Sequence, residues 1–393
     1  MANIDEIYRE YENTNNVCAF YEKYDDSERT AERFLLMRSL DKPDLINIYE
    51  QYVGEKELKG RIKEVLFEVY NTDISIDQLL EYINGKRNEL IRSRETELDG
   101  LDDLLRDFPI EECGIRNDKV DDIIKGFVRD KSVKTIEEMQ DKLNNVILPK
   151  VKQYSLWSYY NQTANDLIEL ALLTNDKVIP TLRKIHDIDF FILSNGKAVP
   201  FDLKITHISD DYFEKLSKGI LLAEDNHGDD YYIGDNDSEL KTIRNEYKRI
   251  RRTHTNLPST SGLKKDELID YLVDLDDSNV SVVMERFKEE RSNYVDETAS
   301  DLKKLEWWNY KYQGERLFCN NNRLFVFLAY RTQFIDGRPL KGKISELKRL
   351  ITSLIDSMDT DEHSLHTIHY HYDKEASLVG DYTANAMSVL YIE

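Results

Sequence analysis

Asn195-Gly196 is the dipeptide that most narrowly limits how this chain can fold. A two-residue type I′ turn needs positive φ at both central positions, and Asn-Gly is well suited to supply it. The pair sits inside DIDFFILSNGKAVPFDLKIT, Asp187 to Thr206, and predicts an antiparallel hairpin. The turn fixes the register, placing Asp189 opposite Asp202 and Asp187 opposite Lys204. Side chains alternate between faces along a strand, so these four charged residues share one face. The other face holds Ile188, Phe190, Ile192, Val199, Phe201, Leu203 and Ile205, and reads as core.

Two carboxylates directly opposite each other, about 5 Å apart, destabilise a ladder pair. A divalent cation offsets that repulsion, because Mg²⁺ prefers hard oxygen ligands. A solvated polar face neutralised by Lys204 is the plainer alternative, but it leaves the clustering of charge on one face unexplained. Just upstream, NDLIELALL reads as helix and carries Asp166 and Glu169 three residues apart, hence on one face. Glu169 is the candidate third acid; Asp166 reads more simply as a solvated helix residue.

Residues 1–150 read mainly as amphipathic helices, with SERTAERFLLMRSL, GRIKEVLFEVY and IDQLLEYINGKRNELIRSR placing apolar residues three and four apart. Asp41-Lys42-Pro43 and Asp107-Phe108-Pro109 mark breaks between them. From about residue 150 the pattern changes. SLWSYYNQTANDLIELALL reads as helix, KVIPTL as a short strand, then the hairpin, the basic helix KTIRNEYKRIRR and the loop THTNLPSTSG. NRLFVFLAY reads as a buried strand, GKISELKRLITSLIDSM as an amphipathic helix, and LHTIHYHY and NAMSVLYIE as closing strands. Strands alternating with helices predict an α/β fold, a mixed central sheet flanked by helices. The expected division is an all-helical domain over 1–150 and a second domain over 151–393.

An acid on a helix, an aspartate on a strand, and (D/E)-x-K on the next strand form the pattern of the PD-(D/E)xK nucleases. The chain resembles that superfamily in Glu169, Ile188-Asp189 and Asp202-Leu203-Lys204, with Ile188 where the family often has proline. The likeness extends to restriction-endonuclease-like bacterial proteins with a similar IDFFI–PFDLKVT hairpin and a segment similar to YQGERLFCNNNRLFVFLAY. It covers roughly residues 150–393. The resemblance implies a restriction-endonuclease-like sheet and a Mg²⁺-dependent endonuclease, with Mn²⁺ able to substitute. It also implies that Asp189, Asp202 and the Leu203 carbonyl hold the metal with Glu169 beside it, while Lys204 orients or deprotonates water or offsets developing charge. Asp187 is an outer candidate, paired with Lys204 by the register.

Other clusters suggest where nucleic acid would lie. KTIRNEYKRIRR has six bases against one acid, and Arg244, Lys248 and Arg251 share its face as candidate phosphate contacts. The alternative is a solvated helix paired with the acidic stretch EDNHGDD upstream. KGKISELKRL is a weaker basic patch. Gln313 and Arg316 in YQGER could reach a phosphate or a base edge. His363, His366, His369 and His371 lie in HSLHTIHYHY, where a metal site is conceivable but surface histidines on an edge strand are the simpler reading.

Composition limits the function classes. The net charge of -22 excludes a protein that coats nucleic acid through general basicity. The acidity is spread, with 35 acidic and 23 basic residues in 1–150 and 41 and 31 in the remainder. Three widely spaced cysteines, Cys18, Cys113 and Cys319, offer no disulfide framework. No apolar run, secretory leader, phosphate-cradling glycine loop or Gly-x-Ser-x-Gly elbow is legible. The expectation is a cytoplasmic endodeoxyribonuclease of bacterial restriction or defence, homodimeric if it cuts both strands, with partner subunits left open. A nuclease acting on RNA or on single-stranded or branched DNA, and a non-catalytic nucleic-acid-binding subunit, are the alternatives.

Overall fold

The computed structural model describes residues 3–54, 57–113, 120–221, 231–232, 236–359 and 364–393. Both Asn195 and Gly196 adopt positive φ, 49° and 76°, as the type I′ turn requires. They join β2 (Ile188–Ser194) to β3 (Lys197–His207) in the expected register, with Ser194 facing Lys197 and Phe190 facing Phe201. Preceding them, β1 (Val178–Ile185) pairs antiparallel with β2 through a tight turn at His186-Asp187. A small ribbon follows, β4 (Ile220–Leu221) against β5 (Tyr231–Tyr232). Next come β6 (Arg323–Ala329), β7 (His366–Tyr372) and β8 (Gly380–Ile392).

Six strands form one mixed sheet in the order β1-β2-β3-β6-β8-β7. The β3–β6 and β6–β8 pairs are parallel and the others antiparallel. Every residue of β6 is buried, which explains the unbroken apolar run of LFVFLA: a parallel strand covered on both faces has no polar side to alternate with.

Helices cover both faces. On one, the Leu148–Leu173 and Ile344–Ser357 helices pack against Phe190, Ile192, Phe201, Leu324 and Val326. The other face is shared. Aromatic residues of the Leu302–Lys311 helix, Trp307, Trp308 and Tyr310, lie over β6 to β8. Over the hairpin's turn end lie the N-terminal helices, with Phe34, Leu35 and Val65 in one core with Ile179, Phe191 and Ala198. Asp41 caps the Lys42–Tyr52 helix through the Asp44 N–H, with Pro43 in its first turn, so the Asp41-Lys42-Pro43 break is a helix start.

The hairpin therefore departs from the sequence expectation in how its charged face is covered. Its charged face is open only at the Asp189/Asp202 end, while Phe191 and Ala198 on that same face are fully buried toward the turn. Alternation assigns faces but cannot say that a helical layer covers half of one. No helix among the described residues is long and apolar enough to cross a membrane.

Glu32 fastens this layer. Its side chain is 1% exposed, pairs with Arg29 at 2.5 Å and accepts the Ala198 N–H at 2.7 Å. Arg29 also donates to the Gly196 carbonyl at 2.5 Å. Glu32→Ala leaves a buried N–H without its acceptor and should lower unfolding free energy by about 3 kcal/mol. Urea unfolding of the two proteins checks this; a loss below about 0.5 kcal/mol would make the contact incidental.

Candidate functional site

The β2–β3 ladder ends at the Phe190–Phe201 pair. Beyond it the Asp189 carboxylate, through Oδ2, accepts the Leu203 N–H at 2.9 Å. The N–H and C=O of a strand residue point toward the same neighbouring strand, so the Leu203 carbonyl also faces this opening. Asp202 is anchored from the other side. Its Cα partner on β6 is Arg323, whose Nε donates to Asp202 Oδ2 at 3.0 Å. Arg323 is buried and held in turn by Gln313 Oε1 and the Cys319 carbonyl, both at 3.1 Å, with its guanidinium 4.9 Å from the Tyr310 ring centroid.

Crowding raises the Asp189 pKa to about 7. Desolvation by the cleft walls is the largest cause, the Asp202 charge adds to it, and the Leu203 N–H opposes both. Glu169 contributes a smaller repulsion. Solvent still reaches the Asp189 side chain, which screens part of the repulsion.

A cleft of about 290 Å³ gathers Glu169, Asp189, Leu203 and Lys204. Its helical wall carries Asn161, Asn165 and Glu169 at four-residue spacing, one face of the Leu148–Leu173 helix. Glu169 meets Arg94 of the N-terminal Ile76–Glu97 helix at 3.3 Å. Opposite stand Arg338 and Lys341. Lys341 is buried, with its ammonium 2.6 Å from Asn161 Oδ1 and 3.4 Å from Asn165 Oδ1. Arg338 lies 4.9 Å from the Trp157 ring centroid and is paired with Asp336. Tyr160 ties this wall down, donating to the Pro339 carbonyl and accepting the Gly342 N–H at 2.9 Å.

The structure thus brings together Glu169, Asp189, Asp202, Leu203 and Lys204 and leaves two outlying acids aside. Asp187 is outside β2, in the turn with φ 57°, and its carboxylate meets His186 at 2.9 Å. The expected ladder position opposite Lys204 fails because β1 turns into β2 there. Asp166 accepts from Gln162 at 2.8 Å and does not line the cleft.

The expected nucleic-acid contacts divide. Arg244, half-buried, donates to the Leu263 carbonyl at 3.2 Å and Arg251 to the Leu257 carbonyl at 3.0 Å, each helping to fasten a loop, while Arg251 and Lys248 both remain exposed. Gln313 stands behind Arg323, and Arg316 is exposed in a short 3₁₀ turn. The stretch EDNHGDD and His363 lie outside the described residues. His366, His369 and His371 pair with Glu306, Thr383 and Asp381 respectively.

Sequence reasoning missed Arg323, Asn161, Asn165 and Arg338, and took Lys341 only as part of a weak basic patch. Arg323 was legible in principle, as a charge heading an otherwise apolar buried strand. Asn161 and Asn165 precede Glu169 at helical spacing, a signal hidden by their neutrality. Arg338 carried no signal, because only the return of the chain after β6 brings it near. Among the described residues no three His, Cys, Asp or Glu side chains form a group preset for a metal ion; the acidic pair and the Leu203 carbonyl are the oxygen donors at hand. Comparison with family models, curated proteins and solved structures found no match.

The raised pKa has a stability consequence. Between about pH 4 and pH 7 the folded chain holds a proton on Asp189 that the unfolded chain has released, so this group's contribution falls as pH rises through that window. In chelator, Asp189→Asn should therefore gain stability relative to wild type between about pH 5 and pH 8. Urea midpoints at the two pH values measure it, and a constant difference would show that the charge is not strained.

Proposed function

We propose that this protein is a Mg²⁺-dependent endonuclease that hydrolyses DNA phosphodiester bonds, in bacterial restriction or defence. The observation that carries the reading is the crowding of Asp189 and Asp202 beside Lys204 and the Leu203 main chain. Two carboxylates share one pocket where burial first, and the neighbouring charge second, make Asp189 resist ionisation, and their hard oxygens suit Mg²⁺ or Mn²⁺. Asp189, Asp202 and the Leu203 carbonyl would hold the cation, with Glu169 beside them. When bound, it supplies Lewis-acid polarisation of a phosphoryl oxygen and neutralises the acids. The strand order, with an antiparallel β1–β3 meander followed by parallel β6, supports a restriction-endonuclease-like core.

The chain's own groups perform the rest. Arg323 holds Asp202 in place, and the Leu203 N–H holds Asp189. Lys204, two residues beyond Asp202 on the same face of β3, donates hydrogen bonds to the attacking water or to the oxygens of the phosphorane. Water's oxygen bonds to phosphorus and releases one proton to solvent, the P–O bond to the leaving sugar oxygen breaks, and that oxygen takes up a proton from solvent, so the proton count balances. Cutting both strands calls for two such sites, met by a second copy of the chain.

Wild type and Lys204→Ala, incubated with mixed DNA and RNA in Mg²⁺ or in EDTA, test the mechanism. Cleavage should be confined to DNA, require the metal and fall about 10²-fold or more in the variant. Cleavage in EDTA, or full activity without Lys204, would refute it; preferential cutting of RNA would correct the substrate.

Proton and metal compete for Asp189. Mn²⁺ affinity, followed by calorimetry, should weaken by about tenfold for each pH unit below about 7. An affinity flat from about pH 5 to pH 8 would remove Asp189 from the ligand set.

A further inference from the structure

A second cleft, of about 540 Å³, shares Lys204, Thr206 and His207 with the first. Its walls differ in charge from the chain as a whole. Lys215, Lys218 and Lys374 join Lys204 and Arg323 there, in a protein of net charge -22. Of the two acids on its rim, Glu214 is already committed, pairing with Lys265 at 2.6 Å and accepting the Leu240 N–H at 3.1 Å. Asp211 is the other.

The floor is aromatic. Trp308 and Tyr312 pack with ring centroids 4.1 Å apart. Ammonium groups surround Tyr312: Lys374 at 5.0 Å from its centroid, Lys215 at 5.3 Å and Lys311 at 5.8 Å. Burial lowers the Lys215 pKa first, and the Lys311 and Lys218 charges lower it further. The first cleft sets Glu169 and Asp189 among Lys204, Arg338 and Lys341, whereas this one gathers mainly positive charge.

We propose that this second cleft holds one nucleotide of the cleaved strand, its phosphate against Lys215, Lys218 and Lys374 and its base against half-buried Tyr312, which buried Trp308 backs. Lysines beside an aromatic platform suit an anion joined to a flat ring, and stacking on aromatics accepts any base. Lysine stems are flexible, so an ammonium over Tyr312 can swing to a phosphate as a base takes the ring face. The proposal rests on the nuclease reading for its source of nucleotide: a strand with its reacting phosphate at Lys204 runs directly into this cleft. A duplex would have to extrude the base, whereas a single strand offers it unstacked.

Calorimetric titration of the full chain in EDTA tests binding without cleavage, so failure of either reading shows independently of the other. The ligands are deoxyadenosine monophosphate, inorganic phosphate and a single-stranded hexanucleotide. The mononucleotide should saturate one site per chain and be displaced by the hexanucleotide. Lys374→Met, on an exposed turn, and Lys218→Met should each weaken it about tenfold, and Tyr312→Leu should weaken it about tenfold while sparing inorganic phosphate. Absent saturation, phosphate binding as tight as mononucleotide binding, or lysine variants equal to wild type would overturn the proposal. Failure of the hexanucleotide to compete would overturn the assignment to a substrate strand and leave a site for free nucleotides.

Discussion

Three consecutive buried asparagines, Asn320 to Asn322, hold the framework from which the site is built. Asn320 donates to Asn16 Oδ1 at 2.8 Å and to the Thr383 carbonyl at 2.9 Å. Asn321 donates to the Asp187 carbonyl, and Asn322 to the Pro200 carbonyl at 3.2 Å while accepting the Asn385 N–H at 3.0 Å. One short run thus binds an N-terminal loop, the β1–β2 turn, β3 and β8 together. Buried amides are costly unless every donor and acceptor is met. A network satisfied from four directions is therefore hard to rearrange piecemeal. Arg323 follows immediately, so the group that fixes Asp202 is the next residue after the asparagine run.

Two electrostatic strains meet at β3, a buried carboxylate pair in one cleft and a lysine cluster in the other. The acidic one arises because the hairpin register sets Asp189 against Asp202, and neither the Leu203 N–H nor Arg323 offsets the whole of that repulsion. The basic one arises where β3, β6 and the Leu302–Lys311 helix converge, and it is local in an acidic chain. Each is an arrangement a bound partner of opposite charge would relieve. On the proposed reading those partners are a divalent cation and a phosphate, and Lys204 lies where the two clefts meet.

Much of this site was legible in the chain. Asn195-Gly196 fixed the hairpin register, and the register placed the two aspartates together. The apolar run after Arg323 announced a strand buried on both faces. The site's outlying members were less legible. Asp187 looked like a strand residue because alternation continues through it, and only the His186-Asp187 turn removes it. Helical spacing put Arg244, Lys248 and Arg251 on one face, and Lys248 and Arg251 are exposed there. Spacing says nothing of the loop carbonyls of Leu263 and Leu257, to which Arg244 and Arg251 also donate.

Local rules accounted for what the sequence determined by itself: turn chemistry, strand alternation and helical periodicity specify which side chains share a face within about a dozen residues. Tertiary structure decided what lies across from those faces. It placed Arg323 beside Asp202, the Asn161–Glu169 helix face opposite Lys341, and the N-terminal helices over Phe191 and Ala198. The physical reason is that these contacts join segments far apart in sequence. Their partners are chosen by parallel strand pairing and by buried polar groups that must all be satisfied at once, and no local pattern in the chain carries that information.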